Sequence, residues 1–254
     1  MRLCPRFAVT PYRIGCAGWA IPKAHKSEFP AEGSHLQRYA ARFPAVEINS
    51  SFYQPHRPAT WSRWAQSVPH DFRFSAKVPK TITHKHRLSA TAVLLDTFLA
   101  EVTCLGSKLG CLLVQLPPSL AYDAPIVESF FEDFRARYQG SVVVEPRHAS
   151  WFTPDIAARL SALRIGQVAA DPAVVPDAAE PAGWPEIVYV RLHGSPEIYY
   201  SNYDEAYLDR LAGRMREYAA RAREVWCIFD NTARFAATPN ALSLLGRLSV
   251  TPVG

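Results

Sequence analysis

The sequence predicts a single (β/α)8 TIM-type barrel, and three observations predict it. Eight short apolar runs recur almost evenly along the 254 residues, centred near Ile14, Glu47, Phe74, Val114, Val144, Gln167, Val190 and Ile228. The stretches between them have room for one helix and two short loops, the repeat of a closed parallel barrel. Nearly all the runs end in polar or aromatic residues, where barrel strands carry their sites. No GxGxxG follows any run and no GxxxxGK[ST] occurs, so eight units in this length favour closure over a doubly wound sheet.

The elements follow in order. Residues 1–11 read as a Pro-containing lead-in, and Tyr12 to Gly18 as the first strand, closed by a glycine and Trp19. Residues 20–32 hold two prolines and no periodicity, a loop long enough to reach over a barrel mouth. Ser34 to Phe43 places Leu36, Tyr39, Ala40 and Phe43 on one helical face, and Ala45 to Asn49 is the second strand. Pro58 suits the first turn of a helix whose stripe is Trp61, Trp64 and Ala65. Phe72 to Lys77 alternates as strand three; Thr91 to Leu105 is helical; Gly110 to Leu116 is strand four, stopped by Pro117-Pro118. Pro125 opens a helix to about Tyr138, and Val142-Val143-Val144 is a parallel strand covered on both faces. Pro154 starts the next helix, and Ile165 to Ala170 is strand six. An irregular Pro- and Ala-rich segment, Asp171 to Pro185, replaces the helix after strand six. Ile187 to His193 is strand seven, Asp204 to about Arg223 a helix, Val225 to Phe229 strand eight, and Pro239 to Leu248 the closing helix. The whole chain, 1–254, reads as one domain with its core over about 12–250.

Composition fits a globular enzyme-sized domain, with 48% hydrophobic and 20% charged residues. Five cysteines, with no CxxC pair and three inside strands, point to a reduced, cytoplasmic protein. No apolar h-region follows Met1 and no apolar run nears 18 residues, so neither a signal peptide nor a membrane span is expected. The net charge of +5 suits an anionic ligand and leaves nucleic acid open as a partner. Arg210, Arg214, Arg216, Arg221 and Arg223 alternate with acids and read as a solvated helix face.

The strand ends hold the chemistry. Glu47 and Glu145 are acids inside apolar strands, where an unpaired charge would cost roughly several kcal/mol. Either one acts as general acid or base with a raised pKa, or both are ion-paired to Arg147, Lys77 or Arg191. Lys77 reads as a base, a Schiff-base nucleophile, an anion anchor or a counter-ion to the glutamates. Arg147 and Arg191 suit a phosphate or carboxylate, and Gly194-Ser195 lies where barrels bind phosphate through backbone N–H groups. Among His84, His148 and His193 one functional histidine is expected. Trp19, Tyr53, Trp151, Tyr199 and Tyr200 fall in strand-end loops; exposed together they would make a stacking wall, buried they are loop packing, and two of the five are expected in a ligand site. No HExxH or GxSxG occurs, so no metal site, cofactor or serine nucleophile is predicted. A divalent metal held by Glu47, Glu145, Asp171, His193 and Asp230 is the alternative.

Several segments together resemble the DUF72, or YecE-like, family. They are Ile14 to Trp19, Val46 to Tyr53, Phe74 to Lys77 with Ile82-Thr83-His84, Gln115-Leu116-Pro117-Pro118, Val144 to His148 with Trp151, Tyr189 to Gly194, and Phe229 to Thr232. The resemblance runs in order from about residue 12 to the last helix. It implies a TIM-type barrel with a pocket at the strand ends and no established activity; the family's likeness to sugar isomerases and barrel endonucleases is fold-level analogy. Around Arg234-Phe235 a smaller residue such as glycine would be more usual in the family, before Asn240-Ala241.

The expected function is acid/base chemistry of an isomerase or lyase kind on a small polar, anionic or sugar-like ligand. Glu145, Glu47, Lys77 and His193 are the expected catalytic residues. Trp19, Asn49, Tyr53, His84, Gln115, Arg147, Trp151, Arg191, Tyr200, Asp230 and Asn231 are the expected ligand contacts. The alternatives are a nucleic-acid-processing or nucleic-acid-binding protein and a non-catalytic metabolite-binding barrel.

Overall fold

The computed structural model describes residues 12–249, so the lead-in over residues 1–11 and its Cys4 lie outside the described residues. The strands are β1 (Tyr12–Cys16), β2 (Ala45–Ile48), β3 (Arg73–Lys77), β4 (Leu109–Gln115), β5 (Ser141–Glu145), β6 (Ile165–Gln167), β7 (Ala169–Asp171), β8 (Ala182–Gly183), β9 (Ile187–Leu192) and β10 (Glu224–Phe229). Parallel pairing runs β2-β3-β4-β5-β6 on one side and β7-β9-β10-β1 on the other. β6 and β7 are two halves of the sixth barrel strand, which steps from β5 to β9 about Val168. The two-residue β8 hangs antiparallel on β6, outside the barrel circuit.

The remaining seam, between β1 and β2, is closed by a single parallel bridge, Ala17 to Glu47, with the Gly18 N–H donating to the Glu47 carbonyl at 2.9 Å. Here the helix that follows β1 supplies what the ladder lacks. The buried Tyr39 hydroxyl accepts from the Cys16 N–H at 2.8 Å and donates to the Ala45 carbonyl at 3.1 Å. A Cβ on Gly15 would run into that same Ala45 carbonyl, so the close approach of β1 to β2 requires glycine there.

The helices are α1 (His35–Ala40), α2 (Pro58–Gln66), α3 (Ala92–Val102), α4 (Ala124–Arg137), α5 (Pro154–Ala162), α6 (Glu205–Ala219) and α7 (Ala237–Ser249). Their starts follow local chemistry. Ser34 and Gln37 form a capping box at α1, and Asp123, Thr153 and Asp204 cap α4, α5 and α6 through their side-chain oxygens. α6 ends at Ala219 rather than near Arg223, because the Arg223 and Glu224 N–H groups turn onto the Glu186 carbonyl to start β10. α7 starts at Ala237, ahead of Pro239, which its first turn accommodates without losing a hydrogen bond. The segment after the sixth strand carries a 3-10 turn, Pro176–Ala179, and β8 in place of a helix. Among the described residues no helix is long and apolar enough to cross a membrane.

Strand alternation divides the core. The outer face of the strands and the inner face of the helices form one large cluster, while Ala45, Cys111, Leu113, Val143, Val168, Ile187, Tyr189, Trp226 and Ile228 fill the barrel. Carried two residues further, that inner parity reaches Glu47, Gln115, Glu145, Arg191 and Asp230. The same parity puts Lys77, Arg147 and His193 inward. The site is therefore the top layer of the barrel filling.

Candidate active site

Arg191, at the end of β9 and fully buried, is the hub. Its Nε and Nη2 donate to Glu47 Oε2 and Oε1 at 2.9 and 2.6 Å, its Nη1 to Glu145 Oε2 at 3.0 Å, and its Nη2 also to Asp230 Oδ2 at 3.1 Å. Tyr189 donates to Glu47 Oε2 at 2.9 Å, and its hydroxyl lies 2.7 Å from Ser75 Oγ. Glu47 is thus saturated from below and presents no exposed oxygen. Burial raises the Arg191 requirement for partners, and the three carboxylates outweigh it, holding the guanidinium well above its ordinary pKa.

His193 sits above this hub. Its Nδ1 is 3.0 Å from Asp230 Oδ2, and its Nε2 is 2.8 Å from Glu145 Oε1 and 2.7 Å from Arg147 Nη2. Arg147 Nη2 in turn bonds Glu145 Oε1 at 2.8 Å. These three atoms form a triangle that serves two protonation states. With a proton on Nε2 the ring donates to Glu145; without it the ring accepts from Arg147. Of the two alternatives for Glu145, a raised pKa or an ion pair, its contacts match the ion pair with Arg147 and Arg191. Burial would lift its carboxyl, but Arg147, Arg191 and His193 outweigh that and hold it well below the usual carboxylate range. Asp230 is lowered in the same way, burial being outweighed by Arg191 and His193.

Lys77 departs from its expected role as counter-ion to the glutamates. It is 5% exposed and, among the described residues, forms no ion pair; Arg191 has taken the carboxylates. Its Nζ lies 4.2 Å from the centre of the Phe52 ring. Burial and the neighbouring Arg191 push it down to about 8, against the pull of Glu47, Asp230 and Glu145. His84 packs edge-on against the same Phe52 ring at 5.0 Å and is lowered by burial, then by Lys77 and Lys80. Lys80 lies 5.5 Å over Tyr53, which is largely exposed.

The structure brings Glu47, Glu145, Arg147, Arg191, His193 and Asp230 into one bonded network, with Lys77 and His84 beside it on the Phe52 shelf. Gln115 ends β4 in register with Glu145, half-buried. Asn49 follows β2, and its Oδ1 is buried without a hydrogen-bond partner among the described residues; so are Asn231 Oδ1 and Arg147 Nε, all three at the strand-end face. Asn231 otherwise braces the loop after β9, donating to Ser201 O at 2.9 Å and Asn240 Oδ1 at 3.0 Å.

Of the five strand-end aromatics, three take the loop-packing alternative. Trp151 is fully buried and donates to the Leu120 carbonyl at 2.9 Å, Trp19 packs against Trp64 at 5.2 Å, and Tyr200 lies under Arg234. The Gly194 N–H is spent on the Tyr203 hydroxyl at 2.9 Å and does not face a phosphate. Asp171 is held by that same hydroxyl at 2.8 Å. With the other acids gathered on Arg191, no group of three or more His, Cys, Asp or Glu among the described residues is arranged to hold a metal.

Sequence reasoning missed Tyr189 and Ser75, which parity alone could have placed beneath Glu47. It chose Tyr200 where the neighbour Tyr199 stands edge-on over His193, ring centres 6.0 Å apart, at φ +71°. Burial and then Asp230 raise the Tyr199 phenol, with Arg147 and Arg191 opposing. Nothing in the sequence marks that backbone conformation.

A family model described as "Protein of unknown function DUF72" matches residues 13–253, and the chain belongs to that family. It is 29% identical over 140 residues to the UPF0759 protein YecE of Escherichia coli, covering 55% of this chain and 49% of that protein. It is 28% identical over 152 residues to the UPF0759 protein YunF of Bacillus subtilis, covering 56% and 52%. The chain thus spans about half the length of the curated relatives it matches. A solved DUF72 family protein from Enterococcus faecalis superposes with a TM-score of 0.78 at 21% identity, covering 94% of this chain and 96% of that one. Another, from Thermotoga maritima, gives a TM-score of 0.78 at 24% identity, covering 94% and 99%. These establish the same α/β barrel fold.

Proposed function

We propose that the barrel mouth binds a small polar ligand, anionic or sugar-like, and moves protons on it in an isomerase- or lyase-type reaction. The observation that carries this reading is the His193 triangle. A buried imidazole is fixed through Nδ1 on Asp230, and its Nε2 has a partner in either protonation state. Glu145, held ionised by Arg147, Arg191 and His193, orients Nε2 and offsets the imidazolium. Glu47 acts at one remove as a positioning residue for Arg191.

Charge balance supports an anion. Glu47, Glu145 and Asp230 face Arg191, Arg147 and Lys77, three charges of each sign. A proton that His193 takes from the ligand adds one positive charge, which a phosphate or carboxylate on that ligand would match. The partnerless Arg147 Nε, Asn49 Oδ1 and Asn231 Oδ1 supply a donor and two acceptors of the kind a hydroxylated ligand uses.

The test is a thermal-shift screen of wild type and Glu145→Gln against sugar phosphates, free sugars, carboxylates, divalent metals and short DNA. A ligand at 100 times its Kd adds about 2.7 kcal/mol, roughly 5–10 °C at this size. A shift by sugar phosphates or carboxylates that the variant loses is expected. A shift by DNA alone, lost steeply with salt, would transfer the reading to a phosphodiester partner held by the exposed Lys85 and Arg87.

A further inference from the structure

Lys77 is a buried cation of the mouth that, among the described residues, touches no carboxylate. It ends β3 on the inner face, almost fully buried, with the flat Phe52 ring holding its ammonium at 4.2 Å. Charged and titratable groups face it from several sides: Glu47 from β2, Glu145 from β5, Arg191 from β9, Asp230 beyond β10, and His84 from its own loop, with Lys80 beyond His84. Arg191 binds all three acids at 2.6–3.1 Å, so none is left to fix the Lys77 ammonium as an ion pair. An amine that only anchored charge would gain from a carboxylate or a full hydration shell, and this one has little of either.

We infer that Lys77 is a carbonyl-reactive amine that forms an imine with the aldehyde or ketone group of a ligand seated in the barrel mouth. This rests on the reading of that mouth as a ligand site, and it narrows the substrate class to carbonyl compounds, including open-chain sugars and keto acids. The neutral Nζ attacks the carbonyl carbon, and the carbonyl oxygen takes up a proton. The resulting carbinolamine loses its hydroxyl as water while the nitrogen lone pair closes the C=N bond. Overall an ammonium and a carbonyl give a protonated imine and one water, with no oxidant or reductant. Proton traffic falls to the His193 triangle on the same inner face, and the imine makes the adjacent C–H acidic enough for that histidine to remove. Burial and Arg191 hold Lys77 near about 8, so at pH 7 roughly a tenth of it is the free amine.

The experiment is reductive trapping on the wild-type protein. The chain is incubated at pH 7 with glyceraldehyde 3-phosphate, glyceraldehyde, pyruvate or glyoxylate, reduced with cyanoborohydride, and mapped by peptide mass. Thermal shift is recorded on the same mixtures without reductant. The expected result is an adduct on Lys77 formed on the order of a hundredfold faster than on exposed Lys23 or Lys85, and its absence in Lys77→Arg. A carbonyl compound that raises the melting midpoint yet labels Lys77 no faster than Lys85 overturns this inference and leaves the ligand site standing. No shift and no preferential label from any compound overturns it together with the binding reading.

Discussion

Arg191 and Glu47 face each other as two parallel hydrogen bonds, Nε to Oε2 at 2.9 Å and Nη2 to Oε1 at 2.6 Å, with neither side chain exposed. The pair joins β9 to β2 across the barrel, and Arg191 then gathers Glu145 and Asp230. Removing one member leaves the others as buried, unmatched charge. Glu47→Gln is expected to cost about 3–5 kcal/mol, read from the urea midpoint. A loss below about 1 kcal/mol, the scale of an exposed pair, would contradict this account of the hub.

Tyr39 should matter through its hydroxyl alone. Tyr39→Phe keeps the ring but strands the Cys16 N–H and Ala45 carbonyl at the β1–β2 seam, where the ladder supplies a single bridge. The expected loss is about 1–3 kcal/mol, measured by chemical denaturation. An unchanged midpoint would mean that the seam does not depend on this staple.

The acids give a signed pH dependence. Glu145 and Asp230 are held below their unfolded pKa values, so their stabilisation is complete above those values and is lost as pH falls through the folded ones. Stability should therefore hold down to about pH 5 and decline below about pH 4, with a shallower decline in Asp230→Asn. Stability that rises as pH falls through this range would contradict the assignment.

Lys77 gives the same slope with pH, but as a cost of its charge rather than as a stabilisation. Its folded pKa of about 8 lies below the ordinary 10.5, so the fold carries the cost of its charge fully below pH 8 and is relieved as pH rises toward 10.5. Lys77→Met should be more stable than wild type at pH 7, with the difference shrinking over that alkaline window. A variant less stable at pH 7 would show that the ammonium is held favourably.

Much of the fold was legible because its signals are local. Strand ends put Glu47, Lys77, Glu145, Arg191 and Asp230 at the barrel mouth, and Pro58, Pro125 and Pro154 marked helix starts by standing in their first turns. What was illegible depends on tertiary competition. The sequence shows several cations near two glutamates, but only packing shows that Arg191 wins the carboxylates and leaves Lys77 without one. The same competition lowers Glu145, which burial alone would raise. Backbone conformation was hidden as well. Phe235, where a smaller residue such as glycine would be more usual, adopts φ +62°, a region that costs a side-chain-bearing residue about 1–2 kcal/mol. Tyr199 does likewise beside His193, and such strain gathers at functional sites.

Hydrogen exchange reads out whether His193 moves a proton on a bound ligand. Carbonyl and sugar-phosphate compounds that raise the melting midpoint are incubated with the protein in deuterium oxide and followed by proton NMR. The account predicts loss of the signal adjacent to the carbonyl with wild type and at least a hundredfold slower loss with His193→Gln, within the roughly 10²–10⁴-fold expected of a general base. A bound compound that exchanges no proton, or exchanges equally fast in His193→Gln, would contradict it.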